Sequence, residues 1–463
     1  MRWVFESECG IADADRVAAQ RSTDVMPGAQ MTDARNFYGW KLLAALSVIV
    51  AVNLGVTYVG AGVINAPMAK DLHLGRGMLG LGSTVFILTN GLVAPVVAQV
   101  LNAWGARLTL CIGSLLVALG AFLLATWVSQ GWHYVLAYGL ILGLGNGFGA
   151  LIPAQTCAST WFERKRALAM ALVLTGSGLG GLISAPLMAR LIVVAHGNWR
   201  VAWYFVLAAA LSAALVSLLF VRNRPSDCGQ RSDGGLADAG QRDAAGRPSA
   251  GTVPSVYRTR ERWTVGEAAR TRALWLIGLA AVGESAAATG ALAHAVPHLR
   301  DLGHSAEAAA AALGVFSIFT IVGKLSIGLL CDRMEPRNAW SACIMMMGLA
   351  VWVATRAQSD AAMFLFTGML GFGSGAALTC WYATVANYFG PAAFASILGA
   401  QMPFNNTVAA AAPFLVGLIY DAQGSYTQAF YVVAAFSATA ALVLLAATPP
   451  RRAPSRADRA ARG

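Results

Sequence analysis

Charge is what this sequence has least of. Only 12% of its 463 residues are Asp, Glu, Lys or Arg, against about 25% in a soluble domain. Lysine is scarcer still, four residues beside 29 arginines. Acids are almost absent from the apolar stretches, and Glu284 is the one that lies deep in such a run. The seven cysteines are scattered, most of them in or beside apolar runs. That pattern excludes a disulfide framework and gives no metal-ligand spacing. No phosphate-cradling Walker loop and no dinucleotide fingerprint occur, so the sequence calls for no cofactor and no ATP. The first 39 residues lack the apolar core of a signal peptide, and Met26 or Met31 suits a start. The net charge of +11 sits mostly in loops and tails, which argues against a nucleic-acid partner.

What is present is apolar: 57% of residues are hydrophobic and the mean hydropathy is +0.59. Twelve runs of roughly 20 residues match the thickness of a bilayer. They fall near 40–66, 77–101, 106–128, 133–158, 167–194, 200–221, 273–298, 306–330, 338–356, 361–387, 392–420 and 427–447. None alternates, and backbone groups in lipid must be satisfied internally, so the runs are helices. The fold class predicted is an all-α polytopic membrane protein with 12 transmembrane helices in two six-helix bundles. The divisions expected are a disordered tail 1–39, a first bundle 40–221, a linker 222–272, a second bundle 273–448 and a tail 449–463. The linker is rich in Gly, Asp, Arg and Ser and reads as disordered, except that Trp263–Arg272 could form a short surface helix.

Charge also sets an orientation. With the N-terminus inside, the inner loops, linker and tails hold 26 Lys and Arg, and the outer loops hold five. The positive-inside rule then places both termini and the linker in the cytoplasm. The short loops alone divide six to five, so the tails and linker carry much of this signal.

The two halves repeat one another. GLLCDRMEPR after the eighth run aligns with AQVLNAWGAR after the second, pairing Gly328 with Ala98, Asp332 with Asn102 and Arg337 with Arg107. Gly143, Gly145 and Gly147 in the fourth run pair with Gly371, Gly373 and Gly375 in the tenth. The spacing Gly328, Asp332, Arg333, Arg337 resembles the loop signature of the major facilitator superfamily of transporters. WFERKRALAMAL at 161–172, GNWR at 197–200, HAVPHLRDLGHS at 294–305 and ANYFGPAAFASILG at 386–399 resemble its monocarboxylate-porter and oxalate/formate-exchanger branch. That resemblance implies two pseudo-symmetric bundles with a substrate site between them, near the membrane midplane.

Lys324 interrupts the eighth run. It lies eight residues before Asp332, roughly 12 Å into the membrane at 1.5 Å per residue. A cation at that depth is costly and marks a functional site by default; the bland alternative is a side chain that snorkels to the edge. The resemblance implies that Lys324 meets a substrate carboxylate. Lysine keeps the charge of the arginine seen there in that branch, without its bidentate fork. The second cation of the oxalate exchanger falls here close to Asn405, which favours one carboxylate over two.

Glu284 reads as a proton-coupling residue, a structural acid or an ion-pair partner of Lys324. The resemblance further implies a gating charge latch at Asp332, Arg333 and Arg337, charged in one half only because Asn102 replaces the acid in the other. It also places Tyr58, Trp381 and Asn405 beside the cavity as substrate-binding residues. The expected function is secondary active transport of a small organic anion, in the first instance a monocarboxylate, across the cytoplasmic membrane. Coupling to protons by symport is expected, with exchange as the alternative, and lipid around a monomer. The alternatives are an efflux pump for amphipathic compounds and a transporter-like sensor.

Overall fold

The computed structural model describes residues 37–235, 256–259, 261 and 263–451. The expected tails 1–39 and 449–463 lie almost wholly outside these residues, as does the middle of the linker. Every element among the described residues is helical. Among the described residues, nine helices are long and apolar enough to cross a membrane. Two of them are each a pair of helices joined at a glycine, and a further 19-residue helix packs among them, so twelve segments result.

In the first half, α1 runs Gly39–Val50, continues as a wider π-type segment Ala51–Val59 and ends as Gly60–Asp71. The long helix Arg76–Thr126 bends at Gly105, where φ is 80°. That left-handed conformation is easy only for glycine, and it divides α2 (76–104) from α3 (106–126). α4 is built of Gly131–Tyr134, Val135–Leu142, Gly143–Gly149 and Leu151–Trp161, with a break at Ala150. α5 is Arg166–Val194 and α6 is Arg200–Phe220. In the second half, α7 is Arg272–Asp301, α8 is Ala306–Cys331 and α9 is Pro336–Ala354. Gly390, with φ 78°, divides Asp360–Gln423 into α10 (360–389) and α11 (391–423). α12 is Thr427–Leu444.

The linker is folded at both ends. Pro225–Cys228 and Ser232–Gly235 form short 3-10 turns. Asp233, itself buried, accepts the backbone N–H groups of Glu163 and Arg164 in the α4–α5 loop. Its other end holds the helix Val265–Ala269, capped reciprocally by Thr264 and Glu267. The composition that suggested disorder misses these ends because a few polar anchors outweigh a low apolar content.

The buried cores define the shape. The core of the second half is continuous with the linker-side core of the first half, through Leu42, Leu101 and Trp161 on one side and Phe389 and Leu398 on the other. The remaining core of the first half, around Val56, Phe86 and Trp203, is a separate cluster. The halves are thus fused toward the linker face and part toward the opposite, far face.

Candidate functional site

Two antiparallel helix pairs close the halves against each other. The first is α5 against α8. Going toward the linker face, Ile321, Lys324, Gly328 and Asp332 lie along one stripe of α8. They meet Gly178, then Leu174 and Ser177, then Ala171, then Ala167 and Leu168. The spacings of three and four residues put all four on one helix face. Gly328 is required for the approach, since a Cβ there would stand 2.5 Å from the Ala171 Cβ.

The second pair is α2 against α11. A Cβ on Gly91 would meet Asn406 at 2.5 Å, and one on Gly399 would meet the Ala94 carbonyl at 2.9 Å. Small residues allow such contacts in lipid, where packing drives helix association. An amide ladder runs inward from this seam. Asn406 donates to the Ile87 carbonyl (3.1 Å) and to Asn90 (3.2 Å), Asn90 donates to Asn146 (2.6 Å), and Asn146 donates to the Asn53 carbonyl (2.7 Å). Nearer the linker face, Asn102 donates to Ser396 at 2.9 Å. Beside it Arg166, buried, donates to the Ala386 carbonyl and to Asn387 (2.9 Å).

The cross-half hydrogen bonds of the described residues reach outward as far as Ile87 on α2 and Ser177 on α5, and the tightest approaches stop at Gly91 and Gly178. Beyond that level Gly62, Gly77, Gly80 and Gly314 have nothing within 4 Å of where a Cβ would be. A cleft therefore opens toward the far face, and Lys324 sits at its floor. Its ammonium donates to the Leu174 carbonyl (3.2 Å) and the Ser177 hydroxyl (3.3 Å), two neutral acceptors of the other half.

Lys324 and Glu284 do not form an ion pair. Glu284, buried, accepts the indole N–H of Trp340 on α9 at 2.8 Å. Its neighbour Ser285 faces elsewhere and donates to Asn405 on α11 at 2.6 Å. Successive residues point about 100° apart on a helix. α7 is turned so that Glu284 looks into its own half and away from α5.

Asp332 caps the start of α5. One carboxylate oxygen accepts the Ala167 N–H at 2.9 Å and the other accepts the Leu168 N–H at 3.2 Å. The first-turn N–H groups of a helix lack partners within it, and an anion there is favoured by the helix dipole. Burial outweighs those contacts, together with nearby Arg258, and pushes the Asp332 carboxyl from 3.8 up to about 6.

The profile of the Major Facilitator Superfamily matches residues 45–294 and again 274–463. The chain belongs to the major facilitator superfamily. It is a membrane transporter, not an enzyme. It is 29% identical over 359 residues to bovine monocarboxylate transporter 13, covering 76% of each chain. It is also 29% identical over 203 residues to human monocarboxylate transporter 14, which covers 43% of this chain and 39% of that protein. Among solved structures it superposes on the facilitator FucP in its outward conformation with a TM-score of 0.67. That match has 15% identity and covers 88% of this chain and 99% of that one.

The other residues singled out in this transporter by sequence fall into different settings. Tyr58 lies in the π-type segment of α1, 43% exposed, its ring stacked on Phe86. Trp381 is buried in the second half, stacked with Trp340 and bonded through its indole N–H to Gln401 at 3.2 Å, so no face of it meets the cleft. Asn405 is buried and engaged by Ser285. Arg337 bonds the Ala447 carbonyl at the end of α12, inside its own half. Arg333 is exposed at the cap of α8. Sequence reading missed Ser177 and Arg166, the cross-half partners. Ser177 stands between Gly176 and Gly178 on the glycine-rich face of α5, the one signal in the sequence that could have found it.

Proposed function

We propose that this facilitator is a secondary active transporter that moves a small monocarboxylate across the cytoplasmic membrane by alternating access coupled to protons. The observation that carries the reading is Lys324: a buried ammonium at the cleft floor, met by two neutral acceptors and, among the described residues, by no carboxylate. A buried charge without a counter-ion is costly, and an arriving carboxylate supplies one. The likeness to proteins named monocarboxylate transporters supports the same class.

On this reading the linker face is cytoplasmic, and the cleft is outward-facing. The substrate carboxylate takes the ammonium and competes with Leu174 and Ser177 for its N–H groups. Those contacts are part of what holds α5 to α8, so binding loosens the seam that must part for the inward-facing state. Asp332, when protonated, stabilises the closed linker face, and Glu284 takes the coupling proton. Because Glu284 is held by Trp340 and not by Lys324, the two sites act on each other through helix packing, without direct exchange of partners.

Uptake into proteoliposomes tests this. With an inward proton gradient, a labelled monocarboxylate from a panel such as acetate, lactate and pyruvate should accumulate and be competed by the others. Failure of every carboxylate to accumulate or compete, together with transport of apolar cations, would replace this reading by amphipath efflux.

A further inference from the structure

A second basic site lies away from the cleft, on the linker face. A cavity of about 700 Å³ opens between the start of α7 and the end of α12. Arg270, Arg272 and Arg451 line it, with Tyr257, Thr271 and Thr448. No acidic side chain is among its lining residues. All three arginines are exposed. None of their side chains makes a hydrogen bond or ion pair with a described residue. Three arginines lining one cavity, with no acid among the described residues that line it, form a site suited to an anion. Arginine's fork matches phosphate oxygens in particular.

The surroundings say which anion. One turn into α7, Trp275 is 65% exposed, its indole N–H bonded to the Ala269 carbonyl. Such a ring marks the level of the lipid headgroups. Leu442 on α12 and Leu445 just after it are 61% and 46% exposed. Apolar side chains are thus exposed on both helices that flank the basic cavity. A soluble phosphate has nothing to place on that surface, whereas a phospholipid has its acyl chains. We infer that this cavity binds the phosphate headgroup of an anionic phospholipid, whose chains lie along α7 and α12. Basic pockets between transmembrane helices favour such headgroups. Bound there, the lipid bridges the end of the linker and the chain after α12. The inference does not rest on the transport reading, because binding is read without turnover.

The test uses the full chain in a neutral detergent, titrated with phosphatidylglycerol, with phosphatidylcholine and with inorganic phosphate. Native mass spectrometry counts bound lipid, and thermal unfolding reports stabilisation. Phosphatidylglycerol should bind and raise the unfolding temperature, phosphatidylcholine should do so far less, and inorganic phosphate should not. The R270Q/R272Q/R451Q variant should bind phosphatidylglycerol on the order of 100-fold more weakly, at about fivefold per arginine. Replacing all three by lysine should keep most of the affinity. If the triple variant fails to fold, R270Q and R451Q alone should each show the roughly fivefold loss. Unchanged phosphatidylglycerol binding in the variants overturns the inference. So does equal binding of phosphatidylcholine, and so does an equal effect of inorganic phosphate, which would make this a soluble-anion site.

Discussion

Replacing Lys324 by alanine should separate the two roles proposed for it. An ammonium has three N–H donors, and two are taken by Leu174 and Ser177. The third is available to a substrate carboxylate, which can also displace the hydroxyl of Ser177. A hydrogen bond to a charged group contributes about 1.5–3 kcal/mol, so Lys324→Ala should weaken a monocarboxylate by about 10- to 150-fold. Lys324→Arg keeps the charge and should retain part of the affinity. Ser177→Ala removes one neutral acceptor and leaves the ammonium, so it should cost less than the alanine change. Both Lys324→Ala and Ser177→Ala also remove a tie between α5 and α8 and should shift the facing-state balance toward an open linker face. Isothermal titration of the best carboxylate measures the first effect. Distances between spin labels on the linker ends of α5 and α8 measure the second. Wild-type affinity in Lys324→Ala, with or without a shift in distance, refutes the carboxylate role and leaves Lys324 as a seam residue.

The remaining expectations concern coupling, latch, packing and topology. Glu284→Gln keeps an acceptor for Trp340 but cannot titrate, so it should exchange substrate yet neither concentrate it nor respond to a pH step; full accumulation with a normal pH response places the proton site elsewhere. The Asp332 carboxyl stands at about 6 in the closed state, above the 3.8 of a solvated aspartate. Protonation therefore favours closure: the contribution is complete below about pH 4 and is lost as pH rises through about 6. Label distances across α5 and α8 should shorten as pH falls from 7 to 5, and Asp332→Ala should flatten that response without changing substrate affinity. Gly328→Ala drives a Cβ to 2.5 Å from Ala171; overpacking of about 1–3 kcal/mol should shift the state ratio by roughly 5- to 150-fold toward an open linker face, and unaltered label distances would show that the seam yields freely. Cys228 is exposed in the linker, so an impermeant maleimide should label it only after permeabilisation; labelling on intact cells, absent in Cys228→Ser, reverses the orientation.

The sequence alone determined where this chain crosses the membrane and which residues are chemically unusual within it. Length and hydropathy suffice for that, because a bilayer fixes how many apolar residues a span needs and forces each span to be a helix. The loop signature at Gly328–Arg337 and the repeated glycines made the superfamily legible, and the profile match agrees. Lys324 and Glu284 stood out for the same reason, since a charge in an apolar run is expensive wherever it points.

Direction was what the sequence could not supply. A helix that is apolar on every side has no stripe to show which face looks inward. So it was tertiary packing that turned Glu284 toward Trp340 and Lys324 toward Leu174 and Ser177. Packing likewise buried Trp381 against Trp340 and left Tyr58 partly exposed. Partner choice across the seam, such as Asp332 with Ala167 and Leu168 or Arg166 with Asn387, joins residues more than 160 positions apart. Such pairs depend on how two bundles dock, and docking is set by matching small residues on four different helices, a property that no one span contains.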